Sequence, residues 1–316
     1  MKVLITGAGG FVGQILAESL LNDGHSVILT DIVEPSVPAD ASNKQNATCI
    51  KADLSTGSDA VLSNDLDAIY VFHGIMSSGS EENFELGYKV NLHSTLDLME
   101  AVRKTCRPGV RVIYASSCAT YGQPLPEMPS EATVQTPQGS YGTQKTMIEL
   151  LLNDYNRRGF ITAFTVRLPS ISVRPGKPTA AASSWMSGIV REPLQGLESL
   201  LPCDDDFKCW LCSPRTLVNN MKLCLTLPRD CMEPHIRQVL LPGITATVGE
   251  MLQALREVGG EEAVKLVKRQ DASAETKALL ESWPVQFDIS RALKIGFEPA
   301  QSFKVAVEDF AKTLKK

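Results

Sequence analysis

No run of about 18 consecutive apolar residues occurs in the chain, so no membrane-spanning helix is expected. No basic run or stripe occurs either. The formal charge is −5 and the pI about 5.5, so the footprint of a nucleic-acid binder is missing and a small-molecule partner is expected. Internal repeats and low-complexity tracts are absent. The apolar run in Met1-Lys2-Val3-Leu4-Ile5-Thr6-Gly7 is too short for a secretion signal, which makes a cytoplasmic location the expectation. Eight cysteines, at 49, 106, 118, 203, 209, 212, 224 and 231, form no disulfide framework in a long chain of this kind, and reduced thiols are expected. Cys209-Trp210-Leu211-Cys212 has CxxC spacing with Cys203 close by, but no second pair completes a zinc site. No metal is expected.

What is present is ordinary for a folded protein: 316 residues, 43% hydrophobic and 21% charged. That excludes a disordered or collagen-like chain and allows one large or two small domains. Short β-branched runs alternate with helical patterns. Strands are expected at 2–6, 26–31, 47–53, 67–73, 110–116 and 161–168. Helices are expected at 11–22, 82–106 and 139–158. Such alternation with apolar strands means an α/β fold with a parallel sheet covered on both faces. After Pro169 the texture changes. Mixed signals follow at 213–225, 239–241, 248–258, 264–268 and 302–314. The expected division is a first lobe over 1–170 and a smaller C-terminal lobe, mainly 171–316, interleaved without a clean linker.

Thr6-Gly7-Ala8-Gly9-Gly10-Phe11-Val12-Gly13 lies where the first strand hands over to the first helix. Glycines there allow a tight turn, backbone approach to a pyrophosphate and close helix–strand packing. The free N–H groups of a helix N-terminus, here around Phe11 and Val12, favour phosphate. The spacing is G-x-x-G-x-x-G through Gly7, Gly10 and Gly13. Asp31 closes the second strand, 18 residues after Gly13, where a carboxylate accepts from adenosine ribose hydroxyls and repels a 2′-phosphate. No arginine follows it, which favours NAD over NADP. The first lobe is thus expected to be a Rossmann-type, doubly wound NAD-binding domain and the second a substrate lobe. Asp53-Leu54 ends the third strand and is placed to meet the adenine. His73-Gly74 ends the fourth, with backbone facing the dinucleotide, and His73 itself is read as structural.

Tyr141-Gly142-Thr143-Gln144-Lys145 is a YxxxK. Residues four apart share one helix face. An ammonium beside a phenol favours phenolate, so Tyr141 is a candidate general base and Lys145 its activator. Ala115-Ser116-Ser117 ends the fifth strand, where a serine hydroxyl can hold the substrate oxygen. Arg174 follows the sixth strand in a Pro-Gly turn, aimed inward as a carboxylate partner, with Ser183, Ser184 and Arg191 after it.

Together these features resemble the extended short-chain dehydrogenase/reductase, or NAD-dependent epimerase/dehydratase, family. Ser116-Ser117-Cys118-Ala119-Thr120-Tyr121-Gly122 is similar to its S-S-x-A-x-Y-G segment. Alignment on Tyr121-Gly122 selects Ser117 as the catalytic serine. Asn91, in Lys89-Val90-Asn91, matches the helix asparagine and joins the cofactor-binding set. Within the family, 84–91, 166–178, 181–184 and 188–194 resemble NAD-dependent sugar-acid dehydrogenases. The resemblance implies hydride transfer to NAD from a secondary hydroxyl of a small polyhydroxy acid, with Ser77, Ser117, Arg174, Ser184 and Arg191 toward the substrate. It also implies a homodimer through 82–106 and 139–158. Two other readings stay open: a nucleotide-sugar epimerase or dehydratase with tightly held NAD, and an NAD-sensing regulator without turnover.

Overall fold

The computed structural model describes residues 1–176 and 183–314. Lys177, Pro178, Ala181 and Ala182 of the expected substrate loop lie outside the described residues. The first half runs β1 Lys2–Thr6, α1 Phe11–Asn22, β2 Ser26–Asp31, β3 Ala47–Lys51, β4 Ala68–Val71, α2 Ser77–Glu82, α3 Phe84–Gly87, a π-helical segment Tyr88–His93, α4 Ser94–Thr105, β5 Val110–Ser117, α5 Ser140–Arg157 and β6 Ile161–Leu168. Then come β7 Ser170–Ile171, α6 Trp185–Arg191, β8 Ser199–Leu201, β9 Lys208–Cys212, α7 Pro214–Leu223, β10 Gln238–Leu240, β11 Ile244–Thr247 and α8 Val248–Lys265. β12 Val267–Arg269, α9 Ala274–Glu281, α10 Ser290–Ile295 and α11 Phe303–Thr313 complete it.

Seven parallel strands form the main sheet in the order β10-β6-β5-β4-β1-β2-β3. Strands buried on both faces must be apolar on both, and β4 is fully buried. Alternation along β1 divides the core. Val3 and Ile5 meet Leu16 and Leu20 of α1 and Leu217 and Met221 of α7 on one face. Leu4 joins Leu98 and Val102 of α4 and Ile148 and Leu152 of α5 on the other. A third core, with Ile189, Leu211, Met251, Leu255, Phe303 and Val307, binds α6, α8 and α11 to the small sheet β11-β9-β7. The C-terminal half also returns to the main sheet: it supplies β10 beside β6, and α7 and Ala292 of α10 pack in the first core.

Three expected elements end elsewhere. The strand expected over 47–53 stops at Lys51, because Asp53 turns to accept from the Ser55 N–H and hydroxyl. The strand expected over 67–73 pairs only over Ala68–Val71; beyond it, His73 is drawn to Thr6. The continuous helix expected over 82–106 starts at Phe84 and is interrupted by the π segment at Tyr88–His93. All eight cysteines are free. Among the described residues no helix is long and apolar enough to cross a membrane.

Leu217 is completely buried between α7 and the sheet. Leu217→Ala is expected to cost about 2–5 kcal/mol of stability by opening a cavity there. Urea titration against the unchanged chain measures it.

Candidate active site

The carboxyl ends of β1, β2, β4 and β5 meet at one edge of the sheet, and α5 closes over them. At the first crossing the backbone of Gly7 has φ +65°, and a Cβ there would lie 2.6 Å from the His73 nitrogen. Only glycine meets both demands. A Cβ on Gly13 would lie 2.6 Å from the Gly7 carbonyl oxygen, so α1 sits directly on the turn. Gly10 is the N-cap of α1, with no side chain capping the helix and no acid in its first turn. The first-turn N–H groups at Phe11, Val12 and Gly13 therefore face outward with the dipole's positive end, as a pyrophosphate requires.

Asp31 stands beside this cradle. Its carboxylate accepts from the N–H of Gly9 at 2.9 Å and of Ile32 at 2.7 Å, which fixes its direction. Each carboxylate oxygen keeps a lone pair for a ribose hydroxyl. The Ala52 N–H donates to the Asp31 carbonyl, bringing Asp53 and the buried Leu54 to the same end of the sheet. Hydrogen bonds from Ser55 hold the Asp53 carboxyl below the usual carboxylate range. The residues present thus fit a dinucleotide.

Tyr141, Lys145 and Ser117 come together across α5 and β5. Gly142 makes this possible: a Cβ there would stand 2.0 Å from the Ala119 carbonyl oxygen, so the helix rests on the turn after Ser117. The Ser117 oxygen accepts from the Ala119 N–H at 3.0 Å, and Ser117 lies near enough to the Tyr141 phenol to act on it. Lys145 is 4% exposed; its ammonium donates to the Ala115 carbonyl at 2.9 Å. It also lies 4.5 Å from the Tyr114 ring centre and 5.4 Å from that of Tyr141. Burial pushes the phenol up to about 12, and Ser117 pulls it partly back. Burial pushes the lysine down to about 8, opposed by the Glu149 carboxylate. Desolvation of the phenolate is the largest influence on Tyr141.

His73 and Gly74 line the same space. A Cβ on Gly74 would approach the Asn91 Oδ1 to 2.8 Å and the Lys145 Nζ to 4.0 Å. The π segment aims Asn91 at the loop after β4. Its Oδ1 accepts from the Ile75 N–H at 2.7 Å, and its Nδ2 donates to the Ile75 carbonyl at 3.0 Å and Gln144 Oε1 at 2.6 Å. Asn91 thereby ties down the loop leading to Ser77 at the start of α2.

The expected substrate residues divide. Arg174 is half-buried, and its guanidinium carries no hydrogen bond among the described residues. Its N–H donates to Ser187 Oγ at 3.1 Å. Arg191, 3% exposed, donates to the Arg174 carbonyl at 3.0 Å and to Glu192 Oε1 at 2.6 Å. A guanidinium so committed anchors the loop. Ser184 immediately precedes α6. Cys209 and Cys212 are buried on β9 among apolar side chains, and burial raises both thiols, Cys209 to about 12. No group of three or more His, Cys, Asp or Glu among the described residues is placed to hold a metal ion.

Sequence reasoning passed over Gln144, Glu149 and Arg167. The signal was available: Arg167 is a charge inside an apolar strand, and Glu149 lies one turn past Lys145.

His73 keeps its neutral form unusually far into acid. Its Nδ1 lies 2.9 Å from Thr6 Oγ1 and its Nε2 3.1 Å from Ser94 Oγ. Burial, then the charge of Lys145, lowers its pKa from 6.5 to about 4. Between those values the unfolded chain takes up a proton that the folded chain refuses, so stability falls as pH drops through that window. His73→Gln should flatten the slope of the urea midpoint against pH between 6.5 and 4.

Comparison with known proteins agrees with this geometry. The profile of the NAD dependent epimerase/dehydratase family matches residues 3–205. D-erythronate dehydrogenase of Haemophilus influenzae is 41% identical over 98% of each chain. D-erythronate dehydrogenase of Cupriavidus necator is 38% identical over the same shares. A solved structure of a nucleoside-diphosphate-sugar epimerase from Agrobacterium tumefaciens is 36% identical, with a TM-score of 0.91 over 99% of this chain and 94% of that one. The chain belongs to the NAD dependent epimerase/dehydratase family, with NAD as its cofactor.

Proposed function

We propose that this NAD-dependent dehydrogenase oxidises a secondary hydroxyl of a small polyhydroxy acid, with D-erythronate as substrate and a 2-oxo-tetronate as product. The observation that carries the reading is the meeting of Ser117, Tyr141 and Lys145 beside an uncapped helix N-terminus. The likeness to two D-erythronate dehydrogenases along nearly the whole chain supports the substrate. Residues 1–170 serve mainly the nucleotide and 171–316 mainly the substrate.

Gly7, Gly10, Phe11, Val12 and Gly13 would hold the pyrophosphate, Asp31 the adenosine ribose, and Asp53 and Leu54 the adenine. His73, Gly74 and Asn91 would line the nicotinamide end, with Lys145 on its ribose. When bound, the cofactor supplies the hydride acceptor. Ser117 orients the reacting oxygen, and Tyr141 takes the hydroxyl proton. Lys145, its ammonium 5.4 Å from the ring centre, favours the phenolate and offsets part of its desolvation. Arg174 receives the substrate carboxylate, its backbone pinned by Ser187 and Arg191. Ser77 and Ser184 are assigned to the rim. Leu96 of α4 and Met147 and Leu150 of α5 are exposed, which supports a homodimer through these helices, working in the cytoplasm.

The test follows NADH absorbance with D-erythronate, other sugar acids and the uncharged alcohol erythritol. Tyr141→Phe should lower turnover by about 10²–10⁴-fold and leave NAD binding intact. Normal turnover in that variant would exclude the proposed base. Arg174→Ala should raise the KM for erythronate about 10–150-fold, as loss of a charge-assisted contact does, with little change for NAD. An unchanged KM, or a preference for erythritol, would overturn the sugar-acid reading. The likeness to a nucleoside-diphosphate-sugar epimerase favours a second reading. NAD retained through purification, with no NADH formed from any sugar acid, would select it.

A further inference from the structure

One turn along α5 from Lys145 lies a charged cluster that the proposed chemistry does not touch. Arg167 on β6 is 1% exposed and Glu149 on α5 is fully buried. Arg167 Nε donates to Glu149 Oε1 at 3.0 Å, and its Nη2 to Oε2 at 2.7 Å. Its Nη1 donates to the Tyr121 hydroxyl, which in turn donates to the Ser130 carbonyl at 2.9 Å. Glu149 also accepts from the Ser116 hydroxyl and, at 2.8 Å, from Gln135 Nε2. Every atom of the pair that needs a partner has one.

Two features connect this cluster to the site. Tyr141, Lys145 and Glu149 are spaced four apart on α5 and share one face, so the carboxylate stands one turn from the ammonium. Ser116, held by Glu149, is the residue before Ser117 on β5. Stability alone is a weak reason for such a pair, because apolar residues of similar volume commonly serve a core as well.

We propose that Glu149 is a positioning residue for the reaction: it is the counter-charge to Lys145 and, through Ser116, the anchor of the strand end that carries Ser117. Arg167 holds Glu149 in place through its two hydrogen bonds. This rests on the catalytic reading of Ser117, Tyr141 and Lys145 given above. The groups facing Lys145 are Tyr141 and Glu149 from α5, Tyr114 and the Ala115 carbonyl from β5, and neutral His73 from the end of β4. Glu149 is the one anion among them, with Arg167 beyond it on β6. Without it, burial acts on Lys145 unopposed.

The test uses the whole protein. Glu149→Gln alone leaves a guanidinium unpaired in a dry interior, so the informative variant is Glu149→Gln with Arg167→Met, which removes both charges at similar length. The ammonium of Lys145 is titrated by NMR of ¹³Cε-labelled lysine, its signal assigned with Lys145→Met. The midpoint should fall by about one unit in the double variant, since loss of a nearby anion disfavours the charged form. Ser116→Ala keeps both charges; it should leave that midpoint unchanged and lower kcat about 3–10-fold at constant NAD affinity through misplacement of Ser117. A folded double variant with a native Lys145 midpoint overturns the counter-charge role. A double variant that does not fold assigns the pair to the fold instead. Native kcat in Ser116→Ala overturns the anchor. The titration needs no substrate, so failure of D-erythronate to react would count against the proposed function and leave this readout standing.

Discussion

A parallel sheet covered by helices on both faces has only its edges free, and its carboxyl edge is where loops can gather side chains. The rest of this structure depends on how closely the backbone packs at that edge. Gly7 lies against the amide of His73, α1 lies on Gly7 through Gly13, and α5 lies on Ala119 through Gly142. Each contact leaves no room for a side chain. Each also brings in a functional group: the N-terminus of α1, the loop after β4, and Tyr141 against Ser117. Packing without side chains is what draws these groups, from Gly7 to Tyr141, to one place.

The same closeness buries titratable groups, and burial shifts them. The phenol of Tyr141 is raised, the ammonium of Lys145 lowered and the imidazole of His73 lowered, each with burial as the largest cause. All three shifts favour the neutral form. Ser117 and Glu149 work against the trend, one on the phenol and the other by its opposite charge on the ammonium. The balance between desolvation and these two partners, more than the YxxxK spacing, governs where the proton sits.

Arg174 and Arg191 show how position separates identical side chains. Arg191 is buried at the end of α6, where a guanidinium must find partners, and it takes Glu192 and the Arg174 carbonyl. Arg174 receives that support on its backbone and keeps its guanidinium uncommitted among the described residues. One arginine holds the loop and leaves the other available.

Much of the fold could be read from residue order alone. Hydrophobic runs and glycine punctuation determined β1, α1, β2 and β6 to the residue, because local patterning and turn chemistry suffice where a strand is buried on both sides. The glycine loop, Asp31 and the Tyr141–Lys145 pair were visible for the same reason: each is a short-range spacing. Tertiary structure decided the rest. The π segment at Tyr88–His93 breaks a helix whose pattern is unbroken, and the side chain it carries, Asn91, bonds to Ile75, sixteen residues away. The partners of Arg191, Glu192 and the Arg174 carbonyl, come from its burial at the end of α6. Glu149 and Arg167 are eighteen residues apart on a helix and a strand, and their pairing exists only because the fold lays α5 across β6. Spacing along a chain fixes what neighbours can do; desolvation, the largest influence on Tyr141, Lys145 and His73, depends on what the whole chain packs around them.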